Sequence, residues 1–307
     1  MMVDIEYLKK INIVSNPMFQ RFVATFFLTP NYRFFADVDI QLENVDKIPK
    51  DETVIFAMNH TDRFNYWPFQ YQLWKMKIFP FTTVWVKGKY YRNYALGKIL
   101  DACNLIPVPS MGYLIEEFYK KKFNKKIDRN EYRIIRDVID GSREMSEAIH
   151  KIAKETASFL KDNFDEYIRN YHESIMDTVA ELSVKALFEK NLNLIIFPEG
   201  TRSLQLGKGR TGLAQLALHT EKKVVPIGCS NSDKVYTGGL PFAKSGTITY
   251  RVGDPLSVEN QLKEYRIKEG FKLFSKESQQ NYKESFDAVT NIIMEKINAL
   301  VDEAYRR

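Results

Sequence analysis

Two short apolar runs each lead straight into a compact polar cluster, and this pairing constrains the chain more than any other feature. TVIFAM, residues 53–58, runs into Asn59, His60, Thr61 and Asp62; NLIIFP, residues 193–198, runs into Glu199, Gly200, Thr201, Arg202 and Ser203. Short runs rich in β-branched and aromatic residues and stopped by turn formers predict buried strands. Similar segments recur: DVDIQLENV from Val38, TTVWVK over Thr82–Lys87, Leu105–Val108, VVPIG over Val224–Gly228 and TITYRVG over Thr247–Gly253. Helical patterning separates them, at Phe64–Trp74, at Leu213–His219 and over 258–305. Strands alternating with helices predict an α/β fold, a central mostly parallel or mixed sheet flanked by helices. Ligands of such sheets gather at the carboxyl ends of the strands, which directs both polar clusters to one sheet edge.

Two regions depart from this alternation. Residues 1–35 read as N-terminal amphipathic helices, with Phe19, Phe22, Val23, Phe26 and Phe27 on one side and Arg21 nearby. Such a face either packs on the core or dips into a lipid interface. Residues 36–307 read as one domain carrying a helical insertion at about 111–190, where Lys, Glu, Ile and Leu recur at helical spacing with almost no Gly or Pro. Within it, KKKFNKK (Lys120–Lys126) is either a solvated helix end or a contact for lipid headgroups or the acidic surface of a carrier.

Composition narrows the function classes. A hydrophobic share of 44% with 21 Phe and 17 Tyr in 307 residues excludes a disordered chain. The net charge of +6 suits anionic lipid or an acidic substrate; without zinc-finger spacing or a long arginine-rich run, nucleic acid is not an expected partner. Cys103 and Cys229 lie in apolar stretches and read as buried thiols of a reducing compartment. Four His and no clustered Cys predict no bound metal. The opening MMVDIEYLKK lacks the features of a secretory signal, and no run reaches the roughly 18–20 apolar residues of a membrane span. The chain is therefore expected to be cytoplasmic and to lie on a membrane rather than across it.

His60, placed where a strand gives way to a helix, is either a structural or a catalytic histidine, with Asn59, Thr61, Asp62 and Asn65 around it in sequence. Glu199, Thr201, Arg202 and Ser203 form a polar set at the same sheet edge; its plain alternative is an ordinary charged turn with Glu199 and Arg202 as a surface ion pair. Phe64, Tyr66, Trp67 and Phe69 suit either an apolar groove or helix-to-sheet packing. No GxSxG elbow is present, which counts against a serine esterase.

The segments NHTDRFN (59–65) and FPEGTRS (197–203), followed by Arg210, Gly212 and VVPIG, resemble the signatures of the glycerolipid acyltransferases, the lysophosphatidate and glycerol-3-phosphate acyltransferases. The resemblance covers roughly residues 35–110 and 190–255. It departs from the family pattern at two places: Asn65 stands where the family has Asp, and Ser110 where it usually has Arg. The resemblance implies acyl transfer from a thioester, acyl-coenzyme A or acyl carrier protein, to the hydroxyl of a lysophospholipid, with lysophosphatidate leading and glycerol-3-phosphate as the alternative acceptor. A non-catalytic lipid-binding protein on the same fold is the competing class. No bound cofactor is implied. His60 would be the base, oriented by Asn65 or Asp62. Glu199, Gly200, Thr201 and Arg202 would form the phosphate pocket, helped by Lys87, Lys89, Arg92 and Arg210. An anionic membrane, on its inner face, would present the lipid.

Overall fold

The computed structural model describes residues 2–160 and 164–307. They divide into two compact units: Met1–Ile11, Val86–Lys98 and Pro107–Val179 form the first, and Asn12–Trp85, Ile99–Ile106 and Ala180–Arg307 the second. The N-terminal 35 residues are thus divided between the units, and the helical region 111–190 ends its unit at Val179.

A seven-stranded sheet organises the fold: β1 (Val38–Glu43), β2 (Ile55–Met58), β3 (Thr82–Lys87), β4 (Ile106–Val108), β5 (Asn193–Ile196), β6 (Val224–Ser230) and β7 (Gly246–Val252). Their order across the sheet is β1-β7-β6-β2-β5-β3-β4. The pairs β1–β7, β6–β2, β2–β5 and β5–β3 are parallel, while β6–β7 is antiparallel, so the sheet is mixed as expected. β2 and β5 are buried at every residue, as a strand covered on both faces should be. They are direct neighbours, with Ala57 opposite Ile196. The two polar clusters therefore leave adjacent strands at the same level, although 139 residues separate His60 from Glu199.

Pro226 lies inside β6, a strand paired on both sides. Its carbonyl accepts from Gly253 N–H at 2.9 Å, where the β6–β7 ladder begins at Ile227↔Val252. The N and O of one strand residue face the same neighbour, so the missing donor falls at this ladder end and the bonds to β2 survive. The helix Lys283–Leu300 covers this part of the sheet with Phe286, Val289, Ile293, Met294 and Ile297. It approaches so closely that a Cβ on Gly228 would lie 2.6 Å from the Leu300 backbone.

In the second unit, helix Met18–Val23 continues through a π-type turn, Ala24–Leu28, into helix Thr29–Arg33. The Ala24 carbonyl accepts both the Thr29 N–H, which closes the wide turn, and the Thr29 hydroxyl at 2.9 Å, while Pro30 has no N–H to continue the ladder. Leu28 is buried, but Met18, Phe22 and Phe26 stay exposed. Gln20 fixes this segment to the sheet, donating to the carbonyls of Thr82 and Cys103.

The first unit is helical: Ile5–Lys9, Met111–Phe123, Arg129–Ile139, Met145–Ile149, Lys154–Phe159 and the start of Phe164–Phe188. Among its described residues the 111–190 region holds five helices where the sequence suggested two or three. The shorter ones are separated by breaks at Asn124, in left-handed conformation, and at Gly141, with φ +74°. Ser110 caps the helix Met111–Phe123, its hydroxyl accepting from Tyr113 N–H at 3.2 Å. Among the described residues no helix is long and apolar enough to cross a membrane.

The contact at Gly228 yields a stability test. Gly228→Ala forces a methyl into backbone that cannot rotate away, and overpacking of this kind costs about 1–3 kcal/mol. Gly270→Ala, with nothing within 4 Å of its Cβ, should change little. Chemical unfolding of both variants checks the contrast; equal midpoints would show that the helix can shift off β6.

Candidate active site

The loop leaving β2 is fixed first by Asn59. Its side-chain amide donates to the Cys229 carbonyl at 2.9 Å and accepts from the Cys229 N–H at 2.7 Å, binding the end of β2 to β6. His60 follows. Its ring stacks on Phe197 with centroids 4.1 Å apart, so the residue that opens FPEGTRS forms one wall of the imidazole. Asn65, fully buried, places its Oδ1 3.3 Å from His60 Nδ1. The Asn65 amide nitrogen is committed elsewhere, donating to the Asn59 carbonyl at 2.7 Å, which fixes the orientation of the amide. An acceptor oxygen at Nδ1 selects the Nδ1–H tautomer and leaves the basic lone pair on Nε2. Tyr250 completes the anchorage from β7, its hydroxyl donating to the Asn65 carbonyl at 2.6 Å.

Asp62 is turned to a different task. Its oxygens accept from the Phe64 N–H at 2.7 Å and the Thr61 hydroxyl at 3.0 Å, the pattern of a carboxylate shaping a turn ahead of the helix Tyr66–Met76. Burial raises its pKa, opposed by hydrogen bonds that include these two. The side chain at His60 Nδ1 is that of Asn65. Phe64, Tyr66 and Phe69 are buried in ring contacts with Trp67, Tyr236, Phe197, Phe56 and Tyr250, the packing alternative raised by the sequence.

Glu199 joins the two clusters. One carboxylate oxygen accepts from the peptide N–H of His60 at 2.7 Å, and the other from the N–H of Gly207 at 2.8 Å. The Glu199–Arg202 surface pair offered by the sequence is therefore not formed: Glu199 is buried and Arg202 is exposed. Burial raises the Glu199 pKa, and the two backbone bonds pull it down. The segment it belongs to is held at several more points. Ser203 N–H bonds the His60 carbonyl at 2.9 Å, Leu206 N–H the Tyr305 carbonyl at 2.8 Å, and Arg210 N–H the Pro198 carbonyl at 2.8 Å. Gly200 has φ +64°, and a Cβ there would press on the Arg210 guanidinium at 3.0 Å, so glycine is needed for conformation and for space. Thr201, Arg202 and Arg210 are exposed along this anchored loop. Lys87, Lys89 and Arg92 belong to the first unit, where Arg92 is held by Glu116 and Glu117, both at 2.6 Å, and lies over the Tyr113 ring.

Sequence reasoning missed three contributors: the Asn59 side chain as a clamp on β6, Gly207 as the second donor to Glu199, and Tyr250 behind Asn65. Asn59 stands beside His60 in the signature, so its place offered a signal. Nothing in local spacing connects Tyr250 or Gly207 to the site.

The Glu199 bridge gives a prediction. In Glu199→Gln one end of the side chain becomes a donor facing a peptide N–H, so one buried hydrogen bond is lost at a cost of about 1–3 kcal/mol. The wild-type carboxyl has a folded pKa above its unfolded value, so the folded state binds the proton more tightly. Its contribution to stability therefore falls as pH rises from the ordinary carboxylate range through the raised pKa. The stability gap between wild type and Glu199→Gln should accordingly narrow over that window. Denaturant titrations on either side of it test this, and a gap that widens with pH would show that the two backbone bonds outweigh the desolvation of the carboxylate.

Residues 39–230 match the model of the family described as Acyltransferase. No curated protein sequence matches the chain. Among solved structures, the 1-acyl-sn-glycerophosphate (LPA) acyltransferase PlsC from Thermotoga maritima is similar over 95% of this chain and 84% of that one, with 16% identity and a TM-score of 0.40. The family match spans more than half of the chain and contains both NHTDRFN and FPEGTRS; the chain belongs to the acyltransferase family.

Proposed function

We propose that the chain transfers a fatty acyl group from an acyl thioester to the hydroxyl of a lysophospholipid, with lysophosphatidate as the leading acceptor. The observation that carries this reading is the joining of the two clusters: His60, oriented by Asn65 at Nδ1, is bound through its own peptide N–H to Glu199 of the loop that presents Arg202. In the proposed reaction His60 Nε2 takes the proton of the acceptor hydroxyl as that oxygen attacks the thioester carbonyl carbon. The tetrahedral intermediate collapses, the C–S bond breaks, and the imidazolium returns the proton to the departing thiolate. Arg202 would meet the acceptor phosphate with charge-assisted, two-pronged hydrogen bonds. Gly200, Thr201 and Arg210 would frame that pocket. The thioester is that of coenzyme A or of an acyl carrier protein.

Thiol release from acyl-coenzyme A, measured against lysophosphatidate, glycerol-3-phosphate and monoacylglycerol, tests the reading. His60→Ala should keep its fold and lose about 10²–10⁴ in turnover, the usual worth of a general base. Arg202→Ala should raise the KM for lysophosphatidate, leave thioester binding nearly unchanged and shrink the preference for lysophosphatidate over monoacylglycerol. An unchanged preference would remove Arg202 from phosphate recognition even if both rates fell. Wild-type protein with lipid binding but no transfer would favour the non-catalytic class.

The same reading puts the chain on the cytoplasmic face of an anionic membrane. Support comes from one patch of the second unit. Phe22 and Phe26 are exposed on the N-terminal helical segment, and Leu240 and Phe242 on the loop before β7. Asn31 ties the two parts together, donating to the Pro241 carbonyl at 3.0 Å and accepting from the Ala243 N–H at 3.1 Å. Arg21 is exposed beside the rings. In the first unit, Lys120–Lys126 would add attraction to headgroups. Binding to anionic liposomes should weaken with salt, and Phe22→Ser with Phe26→Ser should lower it by about tenfold or more, given the apolar area withdrawn. Co-sedimentation unaffected by salt and by the double substitution would count against this surface.

A further inference from the structure

We propose that the site is built around an amide at position 65: Asn65 is a positioning residue that holds His60 in an uncharged dyad, and an aspartate cannot take its place. This deepens the acyl-transfer reading and rests on it for its kinetic consequences, though not for its geometry. The signature that this segment resembles has Asp at the place of Asn65, so a simple expectation is that Asn65→Asp restores a stronger site. The structure argues the opposite.

Asn65 uses both ends of its side chain. Oδ1 faces His60 Nδ1 at 3.3 Å, and Nδ2 donates to the Asn59 carbonyl at 2.7 Å. A carboxylate in the same position would set an oxygen against that carbonyl with no proton between them. The carbonyl has little room to move away, because Asn59 is clamped to Cys229 by two hydrogen bonds. Asn65 is also fully buried, with no solvent to take up a displaced oxygen. The groups around the dyad are acids or neutral: Asp62 and Glu199 are both buried, and Tyr250 donates to the Asn65 carbonyl. Cys229 is hydrogen-bonded to Asn59, and Tyr236 and Asp233 are coupled electrostatically to Asp62. The nearby Arg63 directs its guanidinium to the Gly239 carbonyl. Of the partners that hydrogen-bond the Asn65 side chain, only the imidazole can carry positive charge. An added carboxylate would thus join two buried carboxyl groups and would depend for neutralisation on the base that must stay neutral to work. Only a protonated Asp could reproduce both hydrogen bonds of the amide, and that form coexists poorly with an unprotonated imidazole.

The test combines pH profiles of acyl transfer with ¹⁵N NMR of the His60 ring in the full chain. In wild type the neutral imidazole should carry its proton on Nδ1. In Asn65→Asp the ascending limb of kcat/KM should move to higher pH, because a carboxylate at Nδ1 holds the imidazolium. At about pH 7.5 kcat/KM should fall by about tenfold to a hundredfold, less than the roughly 10²–10⁴ lost when a general base is removed outright. Asn65→Ala should lose comparable activity without that shift; a purely structural role for Asn65 would depress both variants and leave the limb in place. Turnover of Asn65→Asp at or above wild type, or an Nε2–H tautomer in wild type, would overturn the proposal. Should the wild type transfer no acyl group, the acyl-transfer reading fails, while the NMR arm still decides the dyad: the Nδ1–H tautomer in wild type and a raised His60 pKa in Asn65→Asp support it, and either result reversed refutes it.

Discussion

The carboxylate of Glu199 bears on everything else at this site, because it ties together two loops that the sequence keeps far apart. Each oxygen accepts one peptide N–H, from His60 on one side and Gly207 on the other. Backbone donors left unpaired in so buried a place would be costly, and a charged acceptor satisfies them more strongly than a neutral one. The cost is desolvation, visible in the upward push on the Glu199 pKa. The bond grips the main chain of His60, not its ring. It therefore fixes where the imidazole starts while leaving the ring to be oriented separately, by Phe197 at its face and Asn65 at Nδ1.

That arrangement is possible only because the sheet brings β2 and β5 into contact. The two strands are short, buried throughout and parallel, and their registers coincide at Ala57 and Ile196. β6 flanks β2 on the other side and supplies Cys229 to clamp Asn59, while β7 supplies Tyr250 behind Asn65. Four strands thus contribute to holding one histidine. The close approach of Lys283–Leu300 at Gly228 seats the helix on the same β6 that carries Cys229.

All seven strands are readable in the sequence, β1 by its alternation of apolar and polar residues and the others as short apolar or β-branched runs ended by turn formers, and both clusters at the strand ends are readable because polarity changes abruptly there. What local pattern cannot supply is the partner of each polar atom. Glu199 and Arg202 are near in sequence and opposite in charge, which suggests an ion pair; the tight turn at Gly200 instead leaves one buried and the other in solvent. Asp62 is nearer to His60 in sequence than Asn65 is, yet its oxygens close a local turn. Ser110, conspicuous as a missing arginine, serves as a helix cap, a role visible from its position ahead of Met111–Phe123 once that helix is known. In 111–190 the helical spacing was legible, but not the breaks at Asn124 and Gly141, because left-handed residues resemble any other polar or small residue in a charged sequence.

The charged groups around His60 divide according to burial. Acids and hydroxyls lie inside: Glu199, Asp62 and Tyr250 are buried and hydrogen-bond backbone groups. Basic groups lie outside: Arg202, Lys208 and Arg210 are exposed on the loop that Glu199 pins. A buried carboxylate facing peptide N–H groups loses little to salt, whereas exposed guanidinium and ammonium groups remain available to an anion and are screened in its absence. The inner shell can therefore set geometry without competing for an anion, and the outer loop can attract one without disturbing His60. The anchors at Ser203, Leu206, Gly207 and Arg210 make the separation work, since they hold the backbone beneath the exposed cations and leave only side-chain freedom to be lost when an anion binds.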